Sequence, residues 1–455
     1  MFERISIIGL GKLGACMAAT MANKGAEVIG VDVNSEAVEA INSAKPLSRE
    51  PGLAEMLAAN RSRLRATTST AEAVQASQVS FVIVPTPSDA TGAFSIRYVE
   101  QAVREIGHAL RHKRGYHLIV LTSTVLPGAT EFGVMPLIEE SSGKVCGKDF
   151  GVCYNPEFIA LGSVIRDLLN PDFVLIGESD AKAGEMLGRW YQSYCDNHPP
   201  VRRMNFVNAE LTKLAVNNFL TTKITYANML AAMCEELPGA DVDVVSDALG
   251  YDSRIGRKYL TGGMGHGGPC FPRDTRAMAA MAEALSVPSD LSRTVDSMRG
   301  MLLKRQISRL QGLVRPGMMV AVLGLAYKAS TDVIEGSQSI ELAQALSESG
   351  VCVAVYDPLA MDNARVVLGD RVQYLSLRQC LHSADMVIIA TPCEEFRALK
   401  PSDFSTKHRR VIVFDCWRIA APTLESSSAI EYVPLGRGRE DSDILRELAQ
   451  AARAR

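Results

Sequence analysis

The sequence lacks the features of a membrane protein and of a nucleic-acid-binding protein. None of its 455 residues form an apolar run of about 18, which a membrane-spanning helix needs. Its 48 basic and 51 acidic residues leave a net charge of -3, which gives no reason to bind nucleic acid or an anionic membrane. A basic segment followed by an apolar one is missing at the start, so no signal peptide is expected. We therefore expect a cytoplasmic protein with no membrane and no nucleic acid as partner.

The ten cysteines are scattered and contain no Cys-x-x-Cys pair. This excludes a zinc ribbon and gives no disulfide framework, so we expect reduced thiols and no metal site. The chain is 47% hydrophobic and 22% charged, as in globular proteins. It is too long for one ordinary core, so two or three domains are expected.

A glycine-rich turn follows the first apolar run, residues 5–8, and a helical pattern follows the turn. The next apolar run ends in Asp32, 18 residues after Gly14. Such glycines admit a dinucleotide pyrophosphate to a helix N-terminus, and such an acid holds the ribose hydroxyls. An acid at this point favours NAD over NADP. The predicted cofactor contacts are Gly9, Gly11, Lys12, Leu13, Gly14 and Asp32.

Small polar residues follow three further predicted strands. Thr86 and Thr124 come after two of them, at the strand ends where such sheets bind ligands. They are candidate cofactor contacts, although capping of the local turns explains them equally well. Glu157 follows the third, residues 151–154, and is either a general base or a solvated loop carboxylate.

Residues 208–237 have a helical pattern without glycine or proline. Glu210, Lys213 and Asn217 are spaced to share one face of this helix. Lys213 and Asn217 could donate hydrogen bonds to one oxyanion, unless the face is merely solvated. Further helical patterns make residues 200–300 a predicted helical middle domain.

The chain repeats itself after residue 318. Strand-like segments of the first 90 residues are echoed at matched spacing by 319–328, 351–358 and 383–392. This predicts an α/β fold, with two doubly wound Rossmann-like domains joined by a central helical domain. The predicted boundaries are 1–199, 200–300 and 301–455, with a charged peripheral helix or tail from about residue 437. The second copy lacks the glycine motif and carries Lys328, which predicts a phosphate ligand held by charge.

Five glycines in seven residues, 262–268, precede Cys270, and Asp274 follows four residues later. We expect this loop to press its backbone against a ligand, because glycine has no side chain to clash. A helix beginning near 271–272 would favour the Cys270 thiolate.

A thiol beside a nicotinamide domain suggests an oxidation in two steps. Cys270 can capture an aldehyde as a thiohemiacetal, which loses a second hydride to give a thioester that water hydrolyses. The step needs a base, either Asp274 or Glu157, and oxyanion donors, for which Lys213 and Asn217 are candidates.

The chain resembles the UDP-glucose/GDP-mannose dehydrogenase family over nearly all its length. The motifs that carry the resemblance are Gly9–Gly14, Arg49-Glu50-Pro51-Gly52-Leu53, Ser123-Thr124-Val125, Asn155-Pro156-Glu157-Phe158, Leu211-Thr212-Lys213-Leu214 with Asn217, Arg254-Ile255-Gly256, the segment 262–274, and Lys328 with Thr331-Asp332. The resemblance implies an NAD domain, a central helical domain that forms a homodimer, and a C-terminal nucleotide-sugar domain. It also implies a place in polysaccharide biosynthesis.

The same resemblance assigns roles to individual residues. It implies Cys270 as nucleophile, assisted by Lys213, Asn217 and Asp274, with Glu157 as general base. Thr124 counts both as a catalytic and as a cofactor position, and Arg273 stands where the family usually has a cofactor-contacting lysine. The implied substrate contacts are Glu157, Phe158, Lys213, Asn217, Arg254, Tyr259, Gly267 and Lys328, with Arg254 reaching the substrate in the neighbouring subunit.

Three positions depart from the family pattern. Ala37 and Leu161 replace a basic residue and a glutamate, and Glu335 replaces an arginine. The family residues contact NAD or organise its closure, so we expect weaker or rearranged NAD binding here. The sugar-side and thioester residues are retained.

The resemblance implies oxidation of the C6 alcohol of a nucleotide sugar to the acid. UDP-glucose to UDP-glucuronate is the first expectation, and GDP-mannose or a UDP-N-acetylhexosamine remains open. A β-hydroxyacid dehydrogenase would share the NAD domain and the Lys/Asn helix, but needs neither Cys270 nor a second α/β domain. A nucleotide-sugar binder without turnover is the third alternative.

Overall fold

The computed structural model describes residues 2–46, 48–404, 410–438, 444–446 and 450. The chain divides into two compact units, Met1–Val216 and Asn217–Arg455. This division into two units does not test the three predicted domains, 1–199, 200–300 and 301–455, so their boundaries stay predictions. The peripheral helix or tail predicted from about residue 437 lies almost wholly outside the described residues.

The first unit is built on an eight-stranded sheet. Its strands run in the order β3-β2-β1-β4-β5-β6-β7-β8, and every pair is parallel except β6 with β7. They are β1 Arg4–Ile8, β2 Glu27–Val31, β3 Leu64–Thr67, β4 Val79–Val82, β5 His117–Leu121, β6 Phe150–Tyr154, β7 Val174–Glu178 and β8 Val201–Met204. Every residue of β4, β5 and β6 is buried, as in a parallel sheet covered on both faces.

Helices cover both faces of this sheet. They are α1 Lys12–Asn23, α2 Ser35–Asn42, α3 Leu53–Ala59, α4 Thr70–Ala76, α5 Arg97–Leu110, α6 Met135–Ser142, α7 Val164–Leu169 and α8 Ala181–Tyr194, with a π-helical turn, Ala129–Val134, before α6. Asn34, Ser69 and Asp180 begin three of them, each side chain accepting a backbone N–H of the first turn.

The boundary in the chain between the two units, after Val216, lies within the long helix α9, Phe206–Glu236. The second unit continues with α10 Val242–Tyr251, α11 Phe271–Ala284 and α12 Asp290–Leu313. The helical patterns predicted from residue 208 onwards are confirmed by these elements, whereas Val201–Met204, at the start of the predicted helical range 200–300, is strand β8 of the first sheet. Within the described part of the chain, no helix is long and apolar enough to cross a membrane.

A six-stranded parallel sheet forms the rest of the second unit, in the order β11-β10-β9-β12-β13-β14. Its elements are β9 Met319–Leu323, α13 Gln338–Ser347, β10 Cys352–Tyr356, α14 Met361–Leu368, β11 Gln373–Tyr374, α15 Leu377–Ser383, β12 Met386–Ile389, α16 Glu394–Arg397, β13 Val411–Asp415, α17 Ala421–Leu424 and β14 Ile430–Pro434.

The six strands of the second sheet have the same order as the first six strands of the larger sheet, and the repeat extends to single hydrogen bonds. Gly9 and Gly324 follow the first strand of each sheet with φ of 101° and 90°. Each donates its N–H, at 2.7 Å, to the last carbonyl of the neighbouring strand. The predicted fold of two doubly wound Rossmann-like domains with helices between is confirmed.

An aspartate ends the second strand of the repeat in both units. The Asp32 carboxylate accepts two backbone N–H groups, from Leu10 at 2.7 Å and Asn34 at 2.9 Å. The Asp357 carboxylate accepts four, at 2.7 to 3.0 Å, from Leu325, Ala326, Leu359 and Ala360. In each unit the acid therefore fixes the glycine turn to the strand beside it.

Candidate active site

The glycine turn between β1 and α1 leaves open space at the start of the helix. A Cβ on Gly9 would lie 2.1 Å from the Ile83 carbonyl oxygen, and one on Gly14 would lie 1.9 Å from that of Gly9. Packing therefore requires both of these glycines. A Cβ on Gly11, the residue before α1, would meet nothing within 4 Å. The room beside Gly11 fits an anionic pyrophosphate at the helix N-terminus.

The Asp32 side chain completes this turn. Its two hydrogen bonds from backbone N–H groups leave about two of a carboxylate's four acceptor positions for ribose hydroxyls. Lys12 is exposed and Leu13 half-buried in the first turn of α1. These residues fit a dinucleotide as the sequence predicts.

Thr86 and Thr124 lie together beyond the ends of β4 and β5. The Thr86 hydroxyl donates to the Thr124 carbonyl oxygen at 2.8 Å. Ser123 joins the same two segments, because its hydroxyl donates to the Val84 carbonyl and accepts the Val84 N–H. The Thr86 hydroxyl thus stabilises the local turns by bonding one to the other. The cofactor contacts of both threonines stay predictions.

Glu157 belongs to a hydrogen-bonded group in the first unit. The Tyr191 hydroxyl lies 2.9 Å from Glu157 Oε1 and 2.6 Å from Asn155 Oδ1. Enclosure of the Glu157 carboxyl raises its pKa to about 7, against the opposing effects of the Tyr191 hydroxyl and the Lys213 ammonium. A carboxyl with this pKa exchanges protons near neutral pH, as a general base must.

Tyr191 is not predicted from the sequence. It lies on α8 within an aromatic cluster with Trp190 and Tyr194, whose rings are 4.5 to 6.0 Å apart. Such a cluster is typical of a core helix, so its spacing gives no sign that one hydroxyl reaches a carboxylate.

Lys213 is 7% exposed on α9. Its ammonium donates to the Glu157 backbone carbonyl at 2.6 Å and lies 4.5 Å from the centre of the Phe158 ring. The cation therefore fixes the segment that carries the general-base candidate.

The polar face of α9 is not solvated, since Glu210, Lys213 and Asn217 are all at least nine-tenths buried. Glu210 has a structural role that the sequence does not predict. Its carboxylate accepts the N–H groups of Gly128 at 2.7 Å and Thr130 at 2.9 Å, at the start of the π-helical turn. Burial raises the pKa of this carboxyl.

In the second unit, Cys270 is exposed at the N-cap position of α11. The prediction of a helix beginning near residues 271–272 is confirmed, because α11 begins at Phe271.

Asp274 lies in the first turn of α11, with its side chain 1% exposed. Its Oδ2 accepts the Asn217 amide at 2.6 Å, and its Oδ1 accepts the Arg273 Nε at 3.0 Å. The structure therefore places the Arg273 guanidinium on Asp274. Its predicted cofactor contact stays a prediction.

The five glycines before Cys270 pack against the chain itself. A Cβ on any of them would come within 3 Å of another atom of the second unit. The neighbours are Ala231 at Gly262, Trp417 at Gly263, Gln338 at Gly265, Gly336 at Gly267 and Tyr327 at Gly268. The sequence attributes these glycines to a ligand, whereas they pack closely within the unit itself, at Gly265 against the flexible amide end of Gln338.

Distant side chains hold this loop by its backbone. The Arg418 guanidinium donates to the Gly262 carbonyl at 2.7 Å and forms a two-pronged ion pair with Asp243. Asn228 and Gln338 accept the N–H groups of Gly263 and Gly265, at 2.8 and 2.6 Å. No sequence motif indicates these contacts, because their partners are far apart in the chain.

Three predicted substrate contacts lie elsewhere in the second unit. Arg254 is exposed and its guanidinium pairs with Asp252 at 2.6 Å. Tyr259 is 46% exposed and has a positive φ of 66°, which is strained for a residue with a side chain. Lys328 is half-buried in the segment after β9. Their substrate contacts, like that of Gly267, stay predictions.

The three departures from the family pattern have different surroundings. Ala37 is buried on α2, and Leu161 packs against the same core of the first unit. Glu335 is exposed, and its backbone carbonyl accepts the Gly268 N–H at 2.9 Å. Among the described residues, no group of three His, Cys, Asp or Glu side chains could hold a metal ion.

The fold and the glycine turn define a Rossmann-type dehydrogenase, and family comparisons define it further. Three models of the UDP-glucose/GDP-mannose dehydrogenase family match the chain: the NAD binding domain at residues 3–195, the central domain at 207–299 and the UDP binding domain at 321–422. The chain therefore belongs to the UDP-glucose/GDP-mannose dehydrogenase family of nucleotide-sugar 6-dehydrogenases, and its cofactor is NAD.

Its relatives act on more than one nucleotide sugar. The chain is 37% identical to the UDP-glucose 6-dehydrogenase AglM of Haloferax volcanii, over 90% of this chain and 95% of that protein. It is 36% identical to the GDP-mannose 6-dehydrogenase of Pseudomonas putida, over 87% and 92%. Its fold is similar to the solved UDP-glucose dehydrogenase of Pyrobaculum islandicum, with a TM-score of 0.86 and 36% identity over 96% of this chain and 98% of that one.

Proposed function

We propose that the protein oxidises the C6 alcohol of UDP-glucose to the carboxylate of UDP-glucuronate, through a thiohemiacetal and a thioester on Cys270. The observation that carries this proposal is the exposed Cys270 thiol at the start of α11, one turn before the buried Asp274. UDP-glucose is proposed first because two UDP-glucose 6-dehydrogenases match 90% and 97% of the chain.

The reaction balances with two NAD and one water. In the first oxidation the alcohol loses a hydride and a proton and becomes the aldehyde. The Cys270 sulfur then adds to the aldehyde carbon, and the thiohemiacetal loses a second hydride and a proton. Water attacks the thioester carbon, the carbon–sulfur bond breaks, and the acid and free thiol result. Bound NAD supplies the hydride acceptor for both oxidations.

The other residues act on protons and developing charge. Glu157, whose pKa of about 7 leaves it partly ionised at neutral pH, is the proposed base for thioester formation or hydrolysis. Lys213 and Asn217, one turn apart on α9, are the proposed oxyanion donors. Asp274 accepts the Asn217 amide and so fixes the orientation of that donor.

A panel of nucleotide sugars with NAD or NADP, followed to completion by absorbance of the reduced cofactor, tests this function. UDP-glucose should give two NADH per sugar and a uronate. Faster turnover of GDP-mannose or a UDP-N-acetylhexosamine would reassign the substrate within the same mechanism. One NADH per substrate would indicate a β-hydroxyacid type of reaction. Tight sugar binding without NADH would indicate a binder.

We infer that the protein forms a homodimer through its central helices. Phe219, Tyr226 and Met233 recur every seven residues on α9, and they are 66%, 46% and 51% exposed. That spacing places three large apolar side chains on one stripe of the helix, which water disfavours. Light scattering coupled to gel filtration should give a dimer, and Tyr226→Glu should give a monomer. A wild-type monomer at micromolar concentration would refute the dimer.

A further inference from the structure

Arg299, on α12, joins two loops of the second unit. Its Nε donates to the His266 carbonyl at 2.7 Å, and its Nη2 donates to the Gly336 carbonyl at 2.8 Å. Nη2 also donates to Glu341 Oε1 at 2.9 Å. The side chain is only 16% exposed, so these bonds are largely shielded from water. A planar guanidinium holds several acceptors in one fixed geometry, which a lysine cannot do.

The two loops that Arg299 joins lie in direct contact. One is the nucleophile loop, residues 262–268, which leads into Cys270. The other is the segment after β9, residues 328–337, which includes Lys328 and Gly336. Gly268 donates its N–H to the Glu335 carbonyl at 2.9 Å, and a Cβ on Gly267 would lie 2.5 Å from the Gly336 oxygen. The two backbones touch at these points, so a shift of one loop moves the other.

The His266 ring does not hold this arrangement by polar contacts. It is 5% exposed, and neither ring nitrogen has a hydrogen-bond partner among the described residues. Burial, helped by the positive charge of Arg299, lowers the pKa of the ring to about 4 and keeps it neutral. The loop is held here through the His266 carbonyl, and Arg299 is the side chain that holds it.

We propose that Arg299 is a positioning residue for Cys270, which fixes the nucleophile loop to the segment after β9 and so transmits nucleotide binding at that segment to the thiol. The proposal rests on the function proposed above, in which Cys270 is the nucleophile and the C-terminal α/β domain binds the nucleotide. A displaced thiol would slow capture of the aldehyde without changing the NAD site of the first unit.

The test compares Arg299→Gln and Arg299→Lys with the wild type. A misplacement of about 1 Å can lower a rate roughly 100-fold, so Arg299→Gln should lower kcat by roughly 10- to 100-fold at an unchanged KM for NAD. The kcat of Arg299→Lys should lie between those of the wild type and Arg299→Gln, because an ammonium can bond to one of the two carbonyls but not to both. Arg293→Gln is the matched control, since Arg293 lies on the same helix in an exposed pair with Glu283.

A second readout needs no turnover. The alkylation rate of Cys270 by iodoacetamide is measured with and without UDP, in a Cys352→Ala background that removes the other exposed cysteine. UDP should change the rate in the wild type and in Arg293→Gln, and this response should be lost in Arg299→Gln. If the glutamine variant does not fold, Arg299→Lys is compared by the same measurements.

Unchanged kcat and an unchanged UDP response would overturn the proposal. The proposal would also be overturned if Arg299→Gln lost activity only in proportion to a lowered Tm and kept the UDP response of Cys270, because a purely structural role of Arg299 predicts that result. Failure of the proposed function is distinguishable, because a wild type that makes no uronate from any nucleotide sugar still reports the UDP response of Cys270.

Discussion

The Tyr191 hydroxyl should tune the proton affinity of Glu157, and Tyr191→Phe removes it with little change in shape. The single hydroxyl proton lies between Glu157 Oε1 and Asn155 Oδ1. A hydrogen bond to a charged group contributes about 1.5–3 kcal/mol, and one pKa unit corresponds to about 1.4 kcal/mol. Because two acceptors share the proton, we take the lower end. The pKa of Glu157 should then rise by about one unit from its value of about 7.

The expected phenotype is a change in pH dependence more than a loss of activity. At pH 7 the ionised fraction of Glu157 should fall from about one half to about one tenth, so uronate formation should slow about fivefold. At pH 9 the two enzymes should differ by less than about twofold, because both carboxyls are ionised there. The assay is the initial rate of uronate formation, at saturating sugar and NAD, from pH 5.5 to 9.5.

Tyr194→Phe is the matched control for this experiment. It removes a hydroxyl from the same helix, but that hydroxyl bonds to Thr20 Oγ1 at 2.6 Å. Its pH profile should follow the wild type. The assignment of Glu157 as the base is refuted if Tyr191→Phe leaves the profile in place, or if both variants shift it equally.

Three further outcomes are expected. Cys270→Ala should form no uronate, whereas Cys352→Ala, at the other exposed cysteine, should form it at the normal rate; uronate from Cys270→Ala at that rate would exclude the thioester. His266 is neutral in the folded protein down to about pH 4, whereas in the unfolded chain it takes up a proton below about pH 6.5. Its contribution to stability is therefore fully present above about pH 6.5 and is lost as the pH falls towards about 4. Urea unfolding should therefore show that, between pH 7 and pH 4, the free energy of unfolding falls by up to about 3 kcal/mol more in the wild type than in His266→Phe. Equal falls in the two proteins would contradict the low pKa of His266. Calorimetric titration should show weak NAD binding that Glu335→Arg strengthens, and wild-type affinity typical of ordinary dehydrogenases would refute this.

The features that could be predicted from the sequence are those that depend on residues close together in the chain. The turn from Gly9 to Gly14 and the acid at position 32 are local patterns, and their repeat in the second half of the chain predicts the second sheet. The burial of Lys213 and Asn217 follows less directly, because a polar face on a helix can equally be solvated until its neighbours are known.

What could not be predicted depends on contacts between distant segments. Tyr191, Arg299 and Arg418 each contact a site segment that is at least 33 residues away in the chain: Glu157, His266 and Gly262. No spacing rule connects such pairs. The glycines before Cys270 show the same limit, because the sequence shows that close approach occurs but not which part of the molecule approaches.

The two aspartates of the repeat differ in what they can still accept. A carboxylate has about four acceptor positions, and Asp357 uses all four on backbone N–H groups of its own unit, while Asp32 uses two. Only the first copy can therefore receive a sugar hydroxyl at this place. In the second copy the same acid has become an internal brace, so a nucleotide there must be recognised by other groups. The predicted ribose contact would therefore give Asp32 a ligand-binding role beside its anchoring of the turn, whereas Asp357 has the anchoring role alone.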